Sequence, residues 1–357
     1  MKKILLTGGG TAGHVTPNIA LMPYLKKQGY EIEYIGSYEG IEKSLINDQG
    51  IPYHGISSGK LRRYFSLRNF TDPFRVIKGF FEADKLIKKI KPDIVFSKGG
   101  FVSVPVVMAS KRNRIPVIIH ESDMTPGLAN KLSFSSASKI CCSFPETMAY
   151  LPSDKAVLTG LPIRDELMTG DKEKGKAFLN IDNINKDKPV LLVIGGSLGA
   201  AAVNSAIRSL LDKLLNDFNV VHLCGNGKTD PSLSHKPGYF QFEYIKDELK
   251  DLFALADIVI SRAGANAIFE LLALKKPNLL IPLPSKSSRG DQLLNATSFE
   301  KQGFSLVLNE EDITDLTLYE KITELYGSRD QFKDNMEKSS QNNAIEKIIE
   351  LIIKCSK

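Results

Sequence analysis

Short runs of aliphatic and β-branched residues punctuate the chain, and between them apolar positions return every three or four residues over longer stretches. The runs at 4–6, 31–35, 94–96, 117–119 and 139–142, and again at 190–194, 220–223, 258–260 and 279–281, predict strands. The stretches between them predict amphipathic helices. Such alternation is the mark of parallel sheets closed by crossover connections, so the chain reads as α/β. With 357 residues it exceeds the usual single domain. The loop-like Leu158-Thr159-Gly160-Leu161-Pro162 suggests a boundary, giving an N-terminal domain at 1–162 and a C-terminal domain at 163–340. In the remaining 341–357, Ile345, Ile348, Ile349 and Ile352 share one helical face that must pack on something. The N-terminal domain is one available partner.

The first strand runs into Thr7-Gly8-Gly9-Gly10-Thr11-Ala12-Gly13-His14, which satisfies G-x-G-x-x-G. Glycines there let the backbone turn tightly and aim helix N-terminal N–H groups at a pyrophosphate. A dinucleotide site also needs an acidic residue about 20 positions on, at the end of the second strand. Glu33 has that spacing but lies inside the strand, whose end is Gly36-Ser37. The loop also repeats: Gly195-Gly196-Ser197-Leu198-Gly199 shares the form G-G-[TS]-x-G and likewise stands between a strand and a helix. Two Rossmann-type domains in tandem, with ligands held between their strand ends, account for both copies. A third glycine pair, Lys98-Gly99-Gly100-Phe101, follows the strand at 94–96. The three loops are either plain strand-to-helix turns or the seats of two phosphate-bearing ligands, as a transferase with a nucleotide donor and a phosphorylated acceptor requires.

Charge sharpens this division. The net charge of +6 splits into +9 over residues 1–163 and −3 over 164–357, so the N-terminal half should face something anionic. Cys141, Cys142, Cys224 and Cys355 form no C-x-x-C pair, which suits a reducing cytoplasm rather than a disulfide or zinc framework. The opening apolar run stops at Thr7-Gly8, too short for an export signal, and the longest uncharged stretch, 189–207, is broken by glycines. No membrane-spanning segment is expected.

Several motifs then fall in one familiar order: Gly9-Gly10-Thr11-Ala12-Gly13-His14; Lys98-Gly99-Gly100-Phe101-Val102-Ser103-Val104-Pro105; His120-Glu121-Ser122-Asp123 with Pro126-Gly127-Leu128-Ala129-Asn130-Lys131; Gly195 to Ala200; and Ser261-Arg262-Ala263-Gly264-Ala265-Asn266. Together they resemble glycosyltransferase family 28, enzymes of GT-B fold that add N-acetylglucosamine to undecaprenyl-diphospho-muramoyl-pentapeptide in peptidoglycan synthesis. The resemblance spans nearly the whole chain. It implies UDP-N-acetylglucosamine on the C-terminal domain and the polyprenyl-diphosphate-linked muramoyl peptide on the N-terminal one. By the same resemblance Ser197 would bond a donor phosphate, Ile245 would offer main-chain groups to uracil, and Glu270 would accept ribose hydroxyls. Ala265, Asn266, Ala267, Ile268 and Phe269 would line the same wall, Gln292 would bind sugar hydroxyls, and Thr11, Ala12 and Gly13 would also meet the donor. Arg164 would lie near the nucleotide; the alternative for it is a surface ion pair. Gly10, Gly99 and Gly100 would cradle the acceptor's diphosphate. Asp123 would stand among the donor-sugar contacts, though the sequence departs from the pattern there: some members carry Asn, and the carboxylate lacks that amide's donor.

The family inverts the anomeric centre, so an acceptor hydroxyl should displace UDP in one step with the help of a base. His14 is the first candidate, since it ends the first glycine loop and imidazole titrates near neutrality. A contact to the acceptor's diphosphate and a purely structural role are the alternatives. His120 and Glu121 come second, with packing an equal explanation. No D-x-D motif is present, so neither metal nor other cofactor is expected, and helix N-termini at Ser197 and Ala265 with Arg164 would stabilise the leaving diphosphate.

From Lys60 to Lys91 ten Lys and Arg interleave with Tyr64, Phe65, Phe70, Phe74, Ile77, Phe80 and Phe81, and Asp72-Pro73 looks like a helix start. Phe74, Ile77 and Phe81 would share a face that is either core or a contact with the cytoplasmic membrane surface. Nucleic acid is the other partner such a stretch can suit, but no nucleic-acid motif accompanies it. Rival activities are another lipid glycosyltransferase, such as one acting on diacylglycerol, and a UDP-N-acetylglucosamine 2-epimerase.

Overall fold

In the computed structural model residues 2–59, 68–180, 188–196, 199–285, 290–339, 341 and 343–357 are described. The chain divides into two compact units, residues 1–164 with 343–357, and residues 165–342. The first is built on seven parallel strands: β1 (Lys2–Thr7), β2 (Tyr30–Ser37), β3 (Tyr53–Ile56), β4 (Ile94–Ser97), β5 (Val117–Glu121), β6 (Lys139–Cys142) and β7 (Ala156–Leu158), in the order β3-β2-β1-β4-β5-β6-β7. The second is built on six: β8 (Val190–Ile194), β9 (Asn219–Leu223), β10 (Tyr239–Phe242), β11 (Ile258–Ser261), β12 (Asn278–Leu280) and β13 (Ser305–Val307), in the order β10-β9-β8-β11-β12-β13. The second sheet thus repeats the order of the first six strands of the first, which is the doubly wound Rossmann order.

Central strands are buried on both faces, which is why they read as unbroken apolar runs. Ile4, Leu5 and Leu6 in β1 and Leu191, Leu192 and Val193 in β8 are all buried. The four strands outside the predicted set, β3, β7, β10 and β13, are the four sheet edges. With one neighbour each and partial burial, they need no continuous apolar signal.

Pairing brings the glycine loops together. Thr7 of β1 lies beside Ser97 of β4, so the loops after both strands leave the first sheet side by side where the strand order reverses. In the second sheet Ile194 of β8 lies beside Ser261 of β11, with the same consequence for the segments starting at Gly195 and Arg262. Crevices at such reversals are where open α/β sheets bind ligands.

The C-terminal helix Ala344–Cys355 belongs to the first unit. It buries Ile348, Ile349 and Ile352 in one cluster with Ile4, Leu6, Leu21 and Leu25, and Ile345 packs against the same cluster. The helix Arg68–Ile90 begins before Asp72-Pro73, so that pair lies inside it rather than at its start. This helix buries Ala83, Ile87 and Ile90 but leaves Phe74, Ile77 and Phe81 exposed, so the latter three are not core. Among the described residues no helix is long and apolar enough to cross a membrane.

Candidate active site

In the first unit, β1 leads through Gly8–Gly10 into a short turn, Ala12–His14, and then the helix Thr16–Lys27. Gly10 has φ +86°, a left-handed conformation natural only to glycine. Thr11 and Ala12 are exposed, and Gly13 and His14 half-buried. Nδ1 of His14 lies 3.1 Å from Gly9 O and 3.1 Å from Thr11 Oγ1. A carbonyl oxygen only accepts, so Nδ1 carries the proton and Nε2 is the basic nitrogen.

Gly10 brings a correction. Its N–H donates to Oε2 of Glu42 at 3.1 Å, so in this structure the amide is engaged by a carboxylate of the same chain. Gly99 and Gly100, at φ +95° and +85°, form the neighbouring loop. The fit between the two loops is backbone on backbone: a Cβ on Gly100 would fall 2.2 Å from Gly9 O. Ser103 Oγ closes this loop by donating to Gly100 O at 2.7 Å.

At the end of β5, His120 and Glu121 are both buried. Nε2 of His120 donates to Gly160 O at 2.9 Å, and desolvation, aided by the Lys98 charge, holds the ring neutral well below the ordinary histidine range. Glu121 accepts from Asp123 N at 3.1 Å, Gly127 N at 2.9 Å and Asn130 Nδ2 at 2.9 Å, so it organises the loop that follows. Both side chains are engaged in holding backbone, which leaves His14 as the stronger candidate base. Asp123 is half-buried in that same loop. Lys98 is buried and donates to Ser122 Oγ; desolvation pushes its pKa down to about 8 against the opposing pull of Glu121 and Asp123. Arg164 ends the first unit half-buried, its Nε buried with no partner among the described residues.

In the second unit Gly196 repeats Gly10, at φ +85°. Ser197, the expected phosphate contact, lies outside the described residues with Leu198. The helix Ala265–Ala273 starts at the end of β11 behind Gly264, an N-cap that brings no side-chain acceptor. Main-chain N–H groups of its first turn point out along the helix axis, an end that the helix dipole makes favourable to an anion. Ala265 is buried, and Asn266, Ala267 and Glu270 are half-buried. Ile268 and Phe269 do not line a ligand wall with their side chains: both are buried, and Phe269 stacks edge-on against Phe299 at 5.2 Å. The N–H of Ile268 is already bonded to Gly264 O. Ile245 buries its side chain and so anchors the loop after β10.

Gln292 stands at the start of the helix Asp291–Lys301, where its Oε1 accepts from Leu283 N at 3.0 Å. Its NH2 is therefore the end suited to donate to a sugar hydroxyl. Arg262 holds the strand end it faces, donating to Ile281 O at 3.0 Å and pairing with Glu310. Asn204 does the same beneath the glycine loop, through Cys224 O at 2.8 Å and His222 at 3.0 Å.

Sequence reading missed Glu42, Lys98 and Asn130 as parts of this arrangement. Their only signal was polarity beside a glycine loop or within a motif, and what each touches depends on strand order.

Two Rossmann-like units in tandem, each with a glycine loop at its strand-order reversal, are the architecture of GT-B glycosyltransferases. Residues 4–142 match the glycosyltransferase family 28 N-terminal domain and residues 190–352 its C-terminal domain, so the chain belongs to that family. It is 66% identical over 352 residues, 99% of each chain, to the UDP-N-acetylglucosamine--N-acetylmuramyl-(pentapeptide) pyrophosphoryl-undecaprenol N-acetylglucosamine transferase of Lachnospira eligens. A relative of the same description from Clostridium botulinum is 59% identical over 357 residues, all of both chains. Among solved structures, Acinetobacter baumannii MurG superposes with a TM-score of 0.77 at 26% identity, covering 99% of this chain and 100% of that one.

Proposed function

We propose that this protein transfers N-acetylglucosamine from UDP-N-acetylglucosamine to the 4-hydroxyl of a muramoyl peptide carried on polyprenyl diphosphate, with inversion at the sugar carbon. One observation carries donor and acceptor: relatives described with this activity match the chain from end to end at 59–66% identity. In the reaction His14 takes the hydroxyl proton through Nε2 as the oxygen attacks C1 and UDP departs. Its Nδ1–H bond to Gly9 O supports that assignment by setting the tautomer. First-turn amides of the helix Ala265–Ala273 receive charge developing on the leaving diphosphate, aided by the helix dipole. Glu270 holds the ribose, the main chain at Ile245 the uracil, and the Gln292 amide the sugar.

The acceptor is a lipid, so the enzyme works at a membrane surface as a peripheral protein on the cytoplasmic face. Phe74, Ile77 and Phe81 form the contact, and Arg75, Lys78, Lys85, Lys88 and Lys89 are exposed on the same helix to meet anionic headgroups. Lys60, Arg62, Arg63, Tyr64 and Phe65, also expected here, lie outside the described residues, as do the side chains of Arg68 and Phe70.

The test incubates the protein with labelled UDP-N-acetylglucosamine and a polyprenyl-diphospho-muramoyl peptide, with UDP-glucose as competitor. Label is expected in the lipid. Binding of UDP without transfer rejects the reading, UDP-glucose as the preferred donor favours a different lipid glycosyltransferase, and sugar epimerised without any acceptor favours an epimerase.

A further inference from the structure

One peptide group in the first glycine loop carries hydrogen bonds at both ends. The carbonyl of Gly9 accepts from His14 Nδ1 at 3.1 Å, and the N–H of Gly10, on the other side of the same peptide, donates to Glu42 Oε2 at 3.1 Å. The other oxygen of Glu42 accepts from Ser37 N at 3.0 Å and Ser37 Oγ at 2.5 Å. Glu42 is fully buried, and no ion pair among the described residues includes it. Among the described residues its carboxylate is met by hydrogen-bond donors and by no cation. Gly9 is a close neighbour of the carboxylate, since a Cβ there would lie 2.5 Å from the carboxylate carbon.

A buried carboxylate bonds its donors strongly and polarises them, and bonds in series strengthen one another. Negative charge on the N–H side of a peptide makes its carbonyl a better acceptor. A better acceptor at Nδ1–H raises the proton affinity of Nε2. We propose that Glu42 is a positioning residue for His14, acting through the Gly9–Gly10 peptide to hold the imidazole tautomer and raise the basicity of Nε2. It plays the part that aspartate plays directly in a Ser-His-Asp triad, with one peptide interposed. The proposal rests on His14 as the base in the transferase reading.

The groups around Glu42 come from three strands. Tyr34 from β2 and Tyr53 from β3 face it, and burial together with the carboxylate's own charge pushes both phenols up, so they stay protonated. Lys98 at the end of β4 comes beside Gly8, where a Cβ would lie 3.2 Å from its own, but its ammonium is bound to Ser122 Oγ. Thr11 Oγ1 also lies within hydrogen-bond distance of Nδ1.

Nitrogen-15 NMR of the histidine ring in the full chain reads the coupling without needing turnover. Glu42→Gln should lower the His14 ring pKa by about 0.5–1 unit. The acid limb of kcat/KM should move down with it, kcat should fall about tenfold, and UDP affinity should stay unchanged. Ser37→Ala removes one donor from the carboxylate but leaves the Gly10 bond, so it should move the ring pKa the opposite way. A residue that only stabilises the loop would lower the folded fraction and leave the ring pKa where it was. An unmoved pKa in folded Glu42→Gln, or a lowered one in Ser37→Ala, overturns the proposal; where Glu42→Gln does not fold, Ser37→Ala decides. A wild-type protein that shows the coupling yet transfers no sugar rejects the transferase reading alone.

Discussion

Replacing Phe74, Ile77 and Phe81 together by serine tests the membrane contact, and the structure sets its size. These side chains are 73%, 55% and 59% exposed. Full burial of a large apolar side chain contributes about 1.5–3 kcal/mol, so the exposed portions offer about 4 kcal/mol if all of it enters the bilayer. Half-insertion leaves about 2 kcal/mol, or roughly 30-fold in partitioning. Each nearby cation adds about 1 kcal/mol on an anionic surface, but that share is screened by salt while the apolar share is not. Co-sedimentation with vesicles of zwitterionic and anionic lipid, at low and high salt, separates the two. The triple variant should lose at least tenfold in affinity at both salt concentrations, and wild type should retain lipid binding at high salt. Its unfolding temperature should stay near wild type, because these side chains are not core. A triple variant that binds as well as wild type, or wild-type binding abolished wholly by salt, would refute the reasoning.

His14→Ala should cut kcat by about 10²–10⁴ with calorimetric UDP affinity unchanged; near-normal turnover removes His14 from the mechanism. Gly196→Ala should cost about 1–2 kcal/mol of unfolding free energy, the price of left-handed φ where a Cβ meets open space. Gly100→Ala should cost more, since its Cβ would also strike Gly9 O, and equal losses in denaturant titrations would contradict that difference. Lys98 has a folded pKa of about 8, below its ordinary value, so the folded state binds fewer protons than the unfolded one between pH 8 and 10.5 and gains stability as pH rises. Lys98→Met should therefore be more stable than wild type at pH 7, by roughly 3 kcal/mol at most, with the gap narrowing above pH 8. A gap independent of pH would show that folding does not lower the Lys98 pKa.

The predicted strands are the inner ones, because a strand covered on both faces is largely apolar and says so locally, while β2, with Glu31 and Glu33, shows itself by alternation. The edges β3, β7, β10 and β13 are half-covered, and either carry mixed sequences, as Tyr53-His54-Gly55-Ile56 does, or are only three residues long, as Ala156-Val157-Leu158 is, so no local pattern separates them from loop. The helix from Arg68 to Ile90 shows the same boundary: periodicity finds the stripe of Phe74, Ile77 and Phe81, but an apolar stripe looks alike whether it faces core or solvent. The repeated glycine loops were legible because a left-handed backbone after a strand admits almost nothing but glycine. The second copy at Gly195 identified the tandem architecture.

What touches those loops was not legible. Gly10 looks from sequence like a phosphate donor, yet its amide is taken by Glu42, 32 positions away, because β2 lies beside β1 and its end delivers the helix that carries Glu42. His120 and Glu121 look like acid–base candidates until burial and their main-chain partners show them holding backbone. The sequence by itself determined the inner strands, the doubled fold, the family and the chemical inventory, because each is written in residue type and local spacing. Only the tertiary structure decided which polar groups are already satisfied within the chain and which apolar faces stay open, because hydrogen-bond pairing and exposure depend on neighbours that strand order brings together.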